Sequence, residues 1–227
     1  MTEPLSPTTG WNVLHLFCAV TPRVDAGAVT AAVKGLEADG HQVVPVAVVG
    51  HKADLCLMAL GPDLWRLRRF QTEVREAGLA VVDSYVSLTE VSEYAAGMPE
   101  ERKQARLYPQ LPPEGKPAFC FYPMSKRREA NQNWYELPYE ERERLMLGHG
   151  GVGRTFAGRV LQLVTGSTGV DDYEWGVTLF AVHPDDLKEC VYTMRFDPAS
   201  ARYAEFGPFV TGVVGTLDEV LAAVGVA

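Results

Sequence analysis

Apolar and polar positions fall into two successive rounds of the same order along the chain. Trp11–Val20 is a near-continuous apolar run and reads as a strand. Val24–Ala38 then places Val29, Ala32, Val33 and Leu36 on one helical stripe, with Gly40 as its stop. His41–Val49 and Asp54–Leu60 read as strands joined at Gly50–Lys52, and Asp63–Ala77 as a helix whose stripe is Leu64, Leu67, Phe70 and Val74. Leu79–Val91 is a further extended segment. Ser92–Pro117 is polar and broken by Pro99, Pro109, Pro112, Pro113 and Pro117, which marks a linker. The order then repeats: strand Ala118–Pro123, helix Pro138–Gly148, strands Val160–Gly166 and Glu174–Val182, helix Pro184–Met194 and strand Phe206–Val214. Leu217–Val224 reads as a closing helix.

Each round is β-α-β-β-α-β, the ferredoxin-like unit. The expected fold is therefore α+β, with tandem ferredoxin-like repeats over residues 1–105 and 106–227. Pro62-Asp63-Leu64 and Pro184-Asp185-Asp186-Leu187, each following a strand and opening a helix, echo one another and support duplication. Two such sheets packed face to face would enclose a pocket lined by strand residues and one helix.

Composition narrows the function classes. The 227 residues are 47% hydrophobic and 22% charged, as in an ordinary globular protein. A net charge of -8 argues against a broad nucleic-acid surface, so an anionic ligand would need a local basic cluster. No apolar run of membrane-spanning length exists, and MTEPLSPTTGW lacks the basic-then-apolar pattern of a leader. A cytoplasmic protein without membrane or nucleic-acid partners is expected. Cys18, Cys56, Cys120 and Cys190 are scattered without a C-x-x-C pair and read as buried free thiols rather than a zinc or dithiol site.

Candidate chemistry concentrates in the second half. His149 follows the predicted helix and precedes Gly150-Gly151. It reads either as a histidine favoured at a helix C-terminus or as an axial metal ligand that the glycines let a flat cofactor approach. Tyr122 and, four residues on, Lys126 lie at a strand end. They are either half-buried strand residues or an oxidisable phenol and a cation near one pocket mouth. Asp171 and Asp172 suit capping and ion pairs with Arg195 or Arg202. Gly148–Gly153 follows a helix rather than a strand, the wrong setting for a phosphate loop.

Four blocks give these residues a common setting: CFYPMSKRR (Cys120–Arg128), NWYELP (Asn133–Pro138), Leu145–Phe180 and VYTMRFDPASARYAEFGPFVTG (Val191–Gly212). Together they closely resemble the chlorite dismutase-like superfamily, and within it the coproheme decarboxylase branch, also called hydrogen-peroxide-dependent heme synthase. The resemblance implies a dimeric α/β-barrel type subunit assembled as a homopentamer. It implies that Fe-coproporphyrin III (coproheme) is both cofactor and substrate, with hydrogen peroxide as co-substrate and heme b as product. His149 matches the axial iron ligand and Tyr122 the radical-forming tyrosine. Tyr122, Pro123, Met124, Ser125 and Lys126 match a segment that contacts propionates, with Lys126 also a proton donor; Arg106 and Ser200 match further propionate partners. Gln162 stands where chlorite dismutases carry a distal arginine. Chlorite chemistry calls for a fixed cation beside the iron, so the resemblance points to decarboxylation. A chlorite-degrading or peroxidase-like enzyme and a non-catalytic heme-binding barrel are the alternatives.

Overall fold

A computed structural model describes residues 3–95 and 97–226. Met1 and Thr2, which head the stretch weighed above for a leader, lie outside them. The first round comprises β1 (Asn12–Ala19), α1 (Ala26–Ala38), β2 (Gln42–Val49), β3 (Leu55–Gly61), α2 (Leu64–Glu76) and β4 (Ala80–Thr89). Asp25 and Asp63 cap α1 and α2, accepting from the backbone N–H of Ala28 (2.9 Å) and Trp65 (3.0 Å). Between the rounds, the expected linker contains α3 (Glu100–Leu107). The second round comprises β5 (Ala118–Lys126), a small hairpin of β6 (Arg128–Glu129) and β7 (Gln132–Asn133), then α4 (Tyr139–Arg154), β8 (Val160–Gly166), β9 (Trp175–Ala181), α5 (Pro184–Met194), α6 (Pro198–Tyr203), β10 (Ala204–Phe206), β11 (Val210–Val214) and α7 (Leu217–Ala223).

The strands of the first half lie in the order β2-β3-β1-β4 and those of the second in the order β11-β5-β9-β8, all antiparallel. This is the ferredoxin-like order twice. The halves do not pack face to face. They join edge to edge, through β4–β8 (Leu88↔Gly166) and β11–β2 (Thr211↔Val49 to Val214↔Val46), and close a barrel.

Strand alternation then divides the side chains. Val13, Phe17, Val46, Met58, Tyr85, Phe119, Phe121, Leu163 and Phe180 fill the interior as a packed core. The expected pocket between the sheets is therefore absent. A closed ring of this size is just wide enough for its own side chains. Helices cover the outside. On the first half α1, α2 and α7 form one apolar layer against Leu14, Leu16, Leu55 and Leu57. On the second half α5 and Phe156, just past the end of α4, pack on Ala118, Cys120, Tyr122, Val177 and Leu179. No helix among the described residues is long and apolar enough to cross a membrane.

Two boundaries differ from the sequence reading in ways that matter for the site. The helix α4 does not stop at Gly148; it runs to Arg154, so His149 lies inside the helix rather than at its C-terminus. None of Gly148, Gly150, Gly151 and Gly153 adopts positive φ, and the helical hydrogen bonds continue through them. In β5 the strand continues past Pro123 to Lys126. β11 pairs with this strand as far as Phe121 and β10 resumes at Met124. Pro123, which lacks an N–H, falls in the gap between them, where the ladder needs no donor.

Candidate functional site

The outer face of the second half-sheet is only partly covered. Gln162 and Val164 of β8 point outward and are exposed, Val164 by 43%. Across from them, α4 buries only Leu145, and Leu147 is 59% exposed. A side chain built at Gly148 would meet nothing within 4 Å. The outer face of β8 beside this glycine-bearing helix is thus left partly uncovered.

His149 is anchored by a carboxylate. Its Nδ1 lies 2.8 Å from Asp197 Oδ2 and 3.3 Å from Ser200 Oγ. Asp197 is buried and caps α6, accepting from the N–H of Ala199 (3.0 Å) and Ser200 (3.2 Å). Burial pushes its carboxyl pKa up, but the hydrogen bonds from His149 and Ser200 outweigh this and hold it at about 2. The carboxylate is thus ionised, fixes the imidazole's rotation and leaves Nε2 without a partner among the described residues. One nitrogen held by a carboxylate and the other free is the arrangement of a single metal ligand.

Alternation along β5 splits the five consecutive candidates. Tyr122, Met124 and Lys126 lie on the outer face, while Pro123 and Ser125 lie on the other. Ser125 Oγ accepts from the Glu174 N–H at 3.2 Å. Tyr122 is stacked on Phe209 (centroids 4.5 Å apart) and meets Phe206 edge-on at 5.6 Å. Its hydroxyl makes no hydrogen bond to the described residues. Burial raises the phenol's pKa, Cys120 and Cys190 add to this, and the cation of Arg195 opposes it. Arg195 forms no salt bridge among the described residues and lies 5.9 Å from the Phe206 ring.

Lys126 does not stand at an open mouth. It is buried, with Nζ 4.3 Å from the Trp134 ring and 3.4 Å from the Ala199 carbonyl. Burial lowers its pKa to about 8, against the opposing charges of Asp197 and Glu174. The structure therefore groups Lys126 with the Asp197–His149 pair. Ser200 joins the same group, its Oγ directed at the histidine. Arg106 lies on the exposed last turn of α3 and touches none of the other candidates; partial burial lowers its pKa. Arg127 and Arg128 are engaged, with Gln132 and Glu205 and with Glu174 respectively. Asp171 accepts from the N–H of Val86 and Asp172 rather than pairing with Arg195 or Arg202.

Several roles were not read from the sequence: Asp197 as the histidine's anchor, Trp134 under Lys126, Arg195 beside Tyr122 rather than in an ion pair, and the Phe206–Phe209 clamp. Asp197-Pro198 is a helix-start signature, a capping side chain followed by proline at the first helical position, and carried the signal for α6. The four cysteines are free and buried, as expected.

Comparison with known proteins agrees with this architecture. The family model described as chlorite dismutase matches residues 24–215. A protein of Natronomonas pharaonis named as a heme-binding protein is 40% identical over 92% of this chain; the chain spans only 40% of that relative's length. A solved structure from Thermus thermophilus, described as a novel heme-binding protein, superposes with a TM-score of 0.85 at 36% identity, over 99% of this chain and 100% of that one. A mutant chlorite dismutase from Candidatus Nitrospira defluvii has the same fold, with a TM-score of 0.75 at 20% identity over 96% of each chain.

Proposed function

This chain belongs to the chlorite dismutase family, and within it we propose that the protein binds an iron porphyrin in a groove along the partly uncovered face of its second half and acts as a hydrogen-peroxide-dependent coproheme decarboxylase in the cytoplasm. The observation that carries the porphyrin reading is the His149–Asp197 pair, which leaves a fixed Nε2, unpartnered among the described residues, beside that face. The heme-binding relatives support it.

His149 would hold the iron and Asp197 would keep the imidazole oriented. The glycines of α4 and the apolar Val164 and Leu147 would accept the flat macrocycle. Arg195, free of any carboxylate among the described residues, and Arg106 would meet propionates on a chain whose net charge is otherwise negative. When bound, the iron porphyrin supplies the oxidising power drawn from peroxide. Tyr122 has a side chain suited to give up a proton and an electron together: a phenol O–H with no acceptor among the described residues. Lys126, with a pKa of about 8, holds or releases a proton at Nζ near neutral pH. Each propionate plus one hydrogen peroxide would yield a vinyl group, carbon dioxide and two waters; two rounds convert coproheme to heme b. Gln162, itself neutral where chlorite chemistry calls for a fixed cation, suits peroxide better than chlorite. The expected assembly is a homopentamer.

Mass spectrometry of porphyrin extracted after adding peroxide to the coproheme-loaded protein tests this reading. Stepwise loss of two carboxyl groups is expected. An unchanged or merely bleached porphyrin would select instead a non-catalytic heme-binding barrel, the reading the names of the relatives favour; oxygen release from chlorite would select chlorite breakdown.

A further inference from the structure

The amide of the exposed Gln162 side chain meets one hydrogen-bond partner among the described residues. Its Nε2 lies 3.7 Å from the Sγ of Cys190, a thiol on α5 that is 1% exposed. On its other side is α4, where a Cβ added to Gly153 would come within 3.4 Å of the same nitrogen. The amide nitrogen thus touches α5 and lies near α4, and Oε1, which makes no hydrogen bond to the described residues, is the polar atom left for the groove. Burial raises the Cys190 pKa to about 11, which keeps the sulfur a neutral thiol.

We infer that Cys190 is a positioning residue: by accepting from Gln162 Nε2 it fixes the amide with its carbonyl oxygen toward the groove, so that the site favours a neutral, hydrogen-bearing small ligand such as hydrogen peroxide or water over an anion. A carbonyl oxygen accepts a hydrogen bond from a protonated ligand and repels a negative one. An amide turned the other way would offer N–H and welcome anions. Swapping the outward atom of one side chain thus changes ligand preference without changing its size or charge. The ligand preference, unlike the contact itself, rests on the porphyrin site proposed above.

The probe is fluoride, titrated by absorbance into the ferric heme-loaded protein. Cys190→Ala frees the amide to turn and is expected to tighten fluoride binding roughly tenfold. Cys190→Ser keeps an acceptor and should stay near wild type. In a Gln162→Leu background the Cys190→Ala change should disappear, because no amide remains to be turned. Equal fluoride affinity in wild type and Cys190→Ala, or a change that persists in Gln162→Leu, would overturn the preference. The contact is read separately in the protein without porphyrin, from the side-chain amide NMR signals of Gln162. These should move in Cys190→Ala and return toward wild type in Cys190→Ser; signals that ignore both substitutions would overturn the positioning role. If those signals move but heme gives no His149-dependent Soret band, the porphyrin reading fails and the ligand preference falls with it, while the contact stands.

Discussion

On the first half-sheet, α1 buries Val29, Ala32, Val33 and Leu36 within 13 residues, and the layer it forms with α2 and α7 seals Leu14, Leu16, Leu55 and Leu57 beneath it. On the second, α4 occupies the equivalent place in the β-α-β-β-α-β order and buries Leu145 alone in 16 residues. The strands beneath repeat the same order. The difference is in the paving. One half uses its helices to seal a core; the other holds a helix over the sheet without sealing it and places a carboxylate-anchored histidine, a tyrosine and a glutamine around the opening. On the function proposed above, stability and chemistry would fall to different copies of one motif.

The sharpest way to break this comparison is to exchange the damage. Leu57 is fully buried in the first layer, and Leu57→Ala should cost about 2–5 kcal/mol by leaving a cavity. Tyr122→Phe keeps the stack on Phe209 and removes an O–H that has no partner among the described residues, so its stability cost should stay under about 1 kcal/mol. The expected result is a marked drop in denaturation midpoint with retained vinyl formation at permissive temperature for Leu57→Ala. Tyr122→Phe should show the reverse: normal coproheme binding and no vinyl product. A Phe variant that still makes heme b would show that the phenol is not the oxidised group.

The two halves also differ in how legible they were. In the first, every element lies within a residue or two of its sequence reading, because an apolar stripe such as Val29–Leu36 is there to be buried and is buried. In the second, periodicity misleads where function intervenes. Gly148–Gly153 resembles a helix stop, yet α4 continues through it, since neighbouring segments hold the helix and the glycines keep its face open. β5 looked finished at Pro123 because the gap between β10 and β11 that tolerates the proline is a property of distant strands. The barrel itself was implied only by family resemblance: edge joining through β4–β8 leaves no local mark on either strand. His149 and Tyr122 stood out as residue types and Gln162 through the family resemblance, but Asp197's part as the histidine's anchor depended on where α6 packs, which its own Asp-Pro helix-start signature does not say.

A smaller effect probes the interior the halves share. His15 of β1 is fully buried; its Nε2 lies 3.1 Å from Thr178 Oγ1 of β9, and its Nδ1 has no partner among the described residues. Burial lowers its pKa from 6.5 to about 3. The native state therefore holds the neutral ring, and the unfolded state takes up the proton first. Stability from this group is complete above pH 6.5 and is lost as pH falls toward 3, by about 1.4 kcal/mol per pH unit. Asp197, held at about 2 against an ordinary 3.8, loses its own contribution only below pH 3.8 and so adds nothing to the slope above that value. Chemical denaturation at stepped pH should show the slope in wild type and its loss in His15→Leu, whatever the absolute stability of the variant. A variant with an unchanged slope would place the titration elsewhere.

The smallest effect bears directly on the paving. Each interior glycine of α4 costs roughly 0.5–1 kcal/mol relative to alanine, a cost with no return in a helix that merely packs. At Gly148 an added methyl meets nothing within 4 Å; at Gly153 it meets the Gln162 amide at 3.4 Å. Gly148→Ala should therefore raise the melting temperature of the unloaded protein. Gly153→Ala gains the same helical preference but crowds Gln162, so its melting temperature should rise less and its porphyrin spectrum should shift. The contrast is informative because both substitutions are the same chemical change, on one helix. If the two variants behave alike, the glycine-rich run is not shaped by what lies in the groove, and the difference between the sealed and the open half would have to be traced to β8 alone.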